Sequence, residues 1–175
     1  MSASSKTAIG LAQGLQSEEK RTEIIGLTSK RNSEFVKSLN SYDQIYSYDD
    51  LGDININISS VMVDMAGNRE ILGKLHSSLG NHMLKCITVG MTHWDNETTA
   101  DDAIGQLMNR DRTEFFFAPD HIQKRISDWG TDGYNKKTTS FMDARAEQSK
   151  NWMNIKEVSG LNNFLDKNFG ALLST

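Results

Sequence analysis

The chain has 175 residues, 37% of them hydrophobic and 24% charged, a balance typical of a globular domain with one core and unlike that of a disordered or collagen-like chain. Nineteen Lys and Arg stand against 23 Asp and Glu, a formal net charge of −4, which disfavours a surface built to grip long nucleic acids and leaves room only for a local basic pocket. Cys86 is the only cysteine, so an internal disulfide and a thiolate zinc cluster are both excluded and a reducing compartment is expected.

Helix-like and strand-like segments alternate along the first two thirds of the chain, which predicts an α/β fold. Residues 4 to 16 carry Ala8, Ile9, Leu11, Ala12 and Leu15 at helical spacing behind the candidate N-caps Ser4 and Ser5. Ile24 to Thr28 reads as a buried strand, followed by a polar turn from Ser29 to Asn32 and a short helix with Phe35, Val36 and Leu39 on one face. Gln44 to Tyr48 and Val61 to Asp64 are two further strands. Gly67-Asn68 opens a helix whose Ile71, Leu72, Leu75 and Leu79 form one stripe, with Gly80 placed to stop it. Cys86 to Gly90 is the fourth strand, and residues 95 to 113 read as a polar loop excursion. Pro119 begins a helix with Ile122, Ile126 and Trp129 facing one way, and residues 135 to 175 are helical in composition, with Trp152, Ile155 and Leu161 among their buried positions. Strands alternating with helices imply right-handed crossovers and one parallel sheet within a single lobe spanning residues 1–175. No apolar run reaches the ~18 residues of a membrane span, and the first residues lack the pattern of a signal peptide, so a cytoplasmic protein with no membrane partner is expected.

In a parallel α/β sheet, ligands lie beyond the carboxyl ends of the strands. The segments predicted there are Ser2 to Thr7, Thr28 to Asn32, Asp64 to Asn68 and Gly90 to His93, all small, polar or glycine-containing. Backbone amides at the start of the first helix, the hydroxyls of Ser4, Ser5 and Thr7, and Lys6 suit a phosphate, although a serine there also serves as a plain helix cap. Thr28-Ser29-Lys30-Arg31-Asn32 holds two hydroxyls, two cations and an amide, with no acid. An acid at this place in a dinucleotide fold holds the ribose 2′-hydroxyl, whereas cations accommodate a 2′-phosphate, so NADPH is expected rather than NADH. His93 at a strand end could donate a proton, or take a structural hydrogen bond. The other histidines lack metal-ligand spacing and no metal site is expected; Cys86 reads as a small buried hydrophobe, and Phe115 to Phe117 as core.

Taken together, Ser2-Ala-Ser-Ser-Lys-Thr-Ala-Ile-Gly, Ile25-Gly-Leu-Thr-Ser-Lys-Arg-Asn, Val63-Asp-Met-Ala-Gly-Asn, Val89-Gly-Met-Thr-His-Trp and Glu114-Phe-Phe-Phe-Ala-Pro resemble an uncharacterised family distantly similar to zinc-independent quinone oxidoreductases of the medium-chain dehydrogenase/reductase superfamily. The resemblance covers residues 2 to about 130 and only the Rossmann lobe. The family's amino-terminal barrel and the first strand of its lobe have no counterpart, and Ser-Ala-Ser-Ser-Lys-Thr stands where a glycine-rich fingerprint is usual.

The resemblance implies a nicotinamide dinucleotide as partner, with Ser4, Ser5, Lys6 and Thr7 around the pyrophosphate and Thr28, Ser29, Lys30, Arg31 and Asn32 around the 2′-phosphate. Tyr48 would pack near adenine. Asp64 and Gly67 would lie beside the ribose-nicotinamide path, Gly90, Thr92 and His93 near the nicotinamide, and Phe116 and Phe117 beside the ring. No catalytic residue is assigned. The isolated lobe is expected to bind NADPH but, without a substrate domain, to reduce no carbonyl or quinone; a homo-oligomer is compatible with it. Two other classes are weighed. Ser5-Lys6-Thr7 with Val61 to Asp64 resembles parts of a nucleotide triphosphatase but lacks the loop glycines, and a non-catalytic or truncated binding protein is the main rival.

Overall fold

A computed structural model describes residues 1–89 and 107–154. The fold is mixed α/β, with two small parallel sheets flanked by helices. Helix α1, Lys6–Gln16, starts where the Ser5 hydroxyl accepts the Ala8 N–H at 3.3 Å, and it buries Ala8, Ile9, Ala12 and Gln13. Strand β1, Ile25–Thr28, leads through a 3-10 turn, Lys30–Asn32, into α2, Ser33–Ser38. Strands β2, Gln44–Ser47, and β3, Ser60–Asp64, follow.

Helix α3, Arg69–Leu79, is capped by the Asn68 side chain, which accepts the Ile71 N–H at 3.1 Å. It ends at Gly80, whose φ of 48° is one that glycine adopts without strain. Strand β4 is Met83–Thr88, β5 is Thr113–Phe115, and α4 is Ala118–Ser149 with a break at Gly130 (φ 70°, ψ 164°). The ends of α1, β1, β3 and α3 lie within two residues of expectation.

The chain divides into two compact units, Met1–Phe141 and Met142–Thr175. In the second, the described residues finish α4 and turn, with the Trp152 and Met153 amides donating to the Ser149 carbonyl at 3.1 and 2.8 Å. In the first, α3 lays Ile71, Leu72, Leu75 and Leu79 against Met62, Met83, Cys86 and Leu27, the main apolar cluster. Full burial of aliphatic side chains of this kind stabilises by roughly 1.5–3 kcal/mol each, so this stripe accounts for most of the attachment of α3.

Where one parallel sheet is expected there are two, ordered β1-β2 and β3-β4-β5. All pairs are parallel: Ile25 lies opposite Gln44, Met62 opposite Cys86 and Cys86 opposite Thr113. The facing edges of β1 and β3 do not pair with each other, because residues 1–3 lie between them at their carboxyl ends. The Met1 amine donates to the Val63 carbonyl, and the Ala3 N–H donates to the Leu27 carbonyl at 2.9 Å. Behind these residues the gap is an apolar cleft of about 790 Å³, lined by Ile25 and Leu27 of β1, Val61 and Val63 of β3, and Leu11 and Leu15 of α1.

Further differences from expectation concern the second half of the chain and one short helix. Thr113 to Phe115 is a fifth strand at the end of the expected loop excursion; residues 95–106 of that excursion lie outside the described residues. Phe115 and Phe117 are exposed rather than core, since β5 is the outermost strand of its sheet. Val36 is buried, but its neighbour Phe35 is 37% exposed, because α2 is too short to present a full stripe. The Ile122, Ile126 and Trp129 stripe of α4 is not buried against other described residues. Trp152 is half-buried, and Ile155 and Leu161 lie outside the described residues.

Candidate functional site

The carboxyl ends of β1, β2 and β3 bring together three of the four expected segments. The link is direct between the first two: Asn32 Nδ2 donates to Ser4 Oγ at 3.1 Å. Asn32 therefore does not cap α2, for which it makes no side-chain bond. The Ser4 turn is fastened on its other side as well. The Ser2 N–H donates to the Tyr48 hydroxyl at 3.0 Å, and the Tyr42 hydroxyl donates to the Ala3 carbonyl at 2.9 Å. Ser2 takes a φ of 64°, a left-handed conformation held by these flanking bonds. Burial pushes the Tyr42 phenol up to about 12 and the Tyr48 phenol upward too, so both remain protonated donors or acceptors at neutral pH.

This frame presents the first turn of α1 to solvent. Ser5 spends its hydroxyl on Ala8, so the capping role accounts for it. Lys6 and Thr7 are exposed, and their amides, as N1 and N2 of α1, are among those without an intrahelical acceptor. Lys30 and Arg31 are exposed on the 3-10 turn, and neither forms an ion pair with a described residue. That sets them apart from Arg21, Lys37 and Lys74, which are matched to Asp43, Glu34 and Glu70. Ser29 precedes the turn, and its carbonyl accepts the Ser33 hydroxyl at 3.3 Å. Thr28, by contrast, is only 1% exposed, and its hydroxyl is buried without a hydrogen-bond partner among the described residues. It backs the turn instead of lining it.

Asp64 ends β3 with its carboxylate folded onto its own loop: it accepts the Ala66 N–H at 2.9 Å and the Gly67 N–H at 3.0 Å. Gly67 has a φ of 68°. The carboxylate is thus committed to shaping the β3-α3 turn, the structural role typical of an Asx turn. Gly90, Thr92 and His93 lie outside the described residues. Beyond β5, Phe116 stacks on His121 with ring centroids 4.3 Å apart, and Phe117 is exposed. Among the described residues no cluster of His, Cys, Asp or Glu is arranged to hold a metal ion.

Tyr42 was not singled out by sequence reasoning, although it braces the site. Its ring lies where a side chain on Gly26 would fall, 2.9 Å from the position of an added Cβ. The one available signal was Gly26 inside an apolar strand, which marks close approach of another group.

The donor set fits a phosphorylated ligand: two cations without a described counter-ion, helix-terminal amides and a serine–asparagine pair, all at one end of the strands. The same set offers no glycine-rich loop for intimate backbone contact. A family model described as "Protein of unknown function (DUF2855)" matches residues 1–174. No curated protein and no solved structure matches the chain. No helix among the described residues is long and apolar enough to cross a membrane.

Proposed function

We propose that this chain, which belongs to the DUF2855 family, is an NADPH-binding lobe of the oxidoreductase type. In this reading the two parallel sheets are the halves of a Rossmann-like sheet whose first strand would run between β1 and β3. The Ser4-to-Thr7 turn receives the pyrophosphate and the Ser29-to-Asn32 turn receives the 2′-phosphate.

The observation that carries the reading is the Asn32–Ser4 hydrogen bond, which holds the acid-free cationic turn against the start of α1. The separation between a pyrophosphate and a 2′-phosphate of one dinucleotide requires those two turns to be neighbours. Lys30 and Arg31 then give charge-assisted bonds that NADH cannot return. NADPH supplies the hydride; the protein's part is to bind and orient it. Asp64 is spent on backbone amides and is not the proton donor in this reading; a second domain would complete the site for a carbonyl or quinone-type substrate. A cytoplasmic, reducing location suits the lone Cys86.

Titration of the purified chain with NADPH and NADH, followed by tryptophan fluorescence and calorimetry, tests the proposal. Saturable binding of NADPH in preference to NADH is expected. Equal affinity, or binding of neither, contradicts it.

A further inference from the structure

The turn ahead of α1 holds a backbone conformation that its first residue does not favour. Ser2 has a φ of 64°, and among the described residues the only other non-glycine at positive φ is Asn40. Asn40 lies just past the end of α2, where an asparagine in the left-handed region is a usual stop. Serine is not enriched there, and a non-glycine that stays in a sparsely populated conformation needs its surroundings to hold it. Ser2 Oγ forms no hydrogen bond with another described residue, so its own side chain does not supply the hold.

The hold comes from Tyr48, 46 residues along the chain, whose hydroxyl accepts the Ser2 N–H at 3.0 Å. The half-buried phenol is itself anchored, because the Tyr48 N–H donates to the Thr28 carbonyl at the end of β1 at 2.9 Å. With Ser2 fixed in this way, its carbonyl accepts the Ser5 N–H at 2.9 Å and closes the turn. Ser5 is thereby set to accept the Ala8 N–H at 3.3 Å as the cap of α1, which leaves the Lys6 and Thr7 amides at the open end of the helix.

In a dinucleotide fingerprint the first glycine makes the tight turn before the helix. Here Ser-Ala-Ser-Ser-Lys-Thr occupies that place, and Ser2, its first residue, is the one at positive φ. We infer that the Tyr48 hydroxyl replaces that first glycine: it holds Ser2 in the conformation a glycine adopts unaided, and so sets the Ser4-to-Thr7 turn to receive a pyrophosphate. Tyr48 is a positioning residue in this scheme, acting through Ser2. Tyr42 plays a different part, since the Ala3 carbonyl that accepts from its hydroxyl belongs to a residue without positive φ.

The inference rests on the cofactor reading and deepens it by naming what takes the role of the absent glycine. The test compares the full native chain with Tyr48→Phe, Tyr42→Phe and Ser2→Gly, and with each tyrosine change combined with Ser2→Gly, by calorimetry with NADPH and NADH. Tyr48→Phe should weaken both dinucleotides by about fivefold, the size of one neutral hydrogen bond, because both carry the pyrophosphate. Ser2→Gly in the Tyr48→Phe background should restore most of that affinity, because glycine takes positive φ without strain. It should restore none of a loss caused by Tyr42→Phe. Without any ligand, hydrogen exchange at the Ser5 amide should quicken in Tyr48→Phe and slow again once Ser2→Gly is added.

Three results overturn the proposal: affinity for both dinucleotides unchanged in Tyr48→Phe; a loss that Ser2→Gly does not restore, as a direct bond from the hydroxyl to the ligand would give; or a loss confined to NADPH, which would place the hydroxyl at the 2′-phosphate. A thermal midpoint measured on every variant separates weaker binding from a weaker fold. If the native chain binds neither dinucleotide while the Ser5 exchange pattern holds, the cofactor reading falls and takes the pyrophosphate role of the turn with it, leaving Tyr48 as the residue that shapes Ser2. Dinucleotide binding by the native chain with no rescue by Ser2→Gly sinks the Tyr48 assignment alone.

Discussion

Asn32 Nδ2 lies 3.1 Å from Ser4 Oγ, and through this one bond a turn 28 residues further along the chain is fixed to the start of α1. A neutral bond of this kind contributes about 1 kcal/mol. Asn32→Ala should therefore lower stability only slightly, by about 1 kcal/mol in urea unfolding, while NADPH affinity falls and NADH affinity does not. Equal loss for both cofactors would mean that the bond positions the pyrophosphate turn alone.

Gly26 has no room for a larger residue. An added Cβ meets the Tyr42 ring at 2.9 Å and the Ala3 Cβ at 3.2 Å, and the displaced ring carries the hydroxyl that holds the Ala3 carbonyl. Gly26→Ala should cost roughly 1–3 kcal/mol by overpacking, read as a lowered thermal midpoint, and should release residues 1–3. A second change, Tyr42→Leu, should recover part of the lost midpoint by clearing the ring.

Arg112 ties β5 to the end of α3. Its guanidinium donates to the Gly80 carbonyl at 3.0 Å, the Met83 carbonyl at 2.7 Å and Asn81 Oδ1 at 3.2 Å. An ammonium has three donors but only one nitrogen, and lacks the planar fork by which two guanidinium nitrogens span these acceptors. Arg112→Ala should destabilise by about 2 kcal/mol, and Arg112→Lys should recover less than half of that in the same denaturation series.

His76 gives the fold a pH dependence. Its Nδ1 accepts the Asn109 N–H at 3.1 Å, which requires a neutral ring, and burial lowers its pKa from the ordinary 6.5. Below pH 6.5 the unfolded chain takes up a proton that the folded chain resists. The contribution is thus complete above 6.5 and is lost as pH falls from 6.5 through the lower folded value. Asp43, held below the carboxylate range by the Arg21 guanidinium, acts only in the more acidic window below its ordinary 3.8. Urea midpoints measured from pH 8 to 5 should decline for the native chain and stay flatter in His76→Gln. Parallel profiles would remove His76 as the cause.

Cys86 is fully buried, and burial pushes its thiol up to about 11. Ellman's reagent at pH 8 should not react with the folded chain and should titrate one thiol in denaturant. Rapid reaction in the native state would show that β4 opens.

Local signals were read well where one residue decides one backbone event. Ser5 and Asn68 cap, Gly80 stops α3, and the Ile71-to-Leu79 stripe finds the core. What could not be read depends on partners distant in sequence. Nothing local to Asn32 shows that its side chain reaches Ser4, 28 residues away in the chain. Phe115 to Phe117 carried the apolarity of core and sits at a sheet edge, where only one side can be covered. Hydrophobicity alone does not say which strand is outermost.

The most direct test of the account compares NADPH with NADH on the native chain and on the Lys30→Ala/Arg31→Ala double variant. The native chain should prefer NADPH. The variant should lose that preference, its NADPH affinity falling about tenfold or more to meet that for NADH, with its thermal midpoint unchanged because both side chains are exposed. A native chain indifferent to the 2′-phosphate, or a variant that keeps the full preference, would contradict the assignment of Lys30 and Arg31 and with it the proposed site.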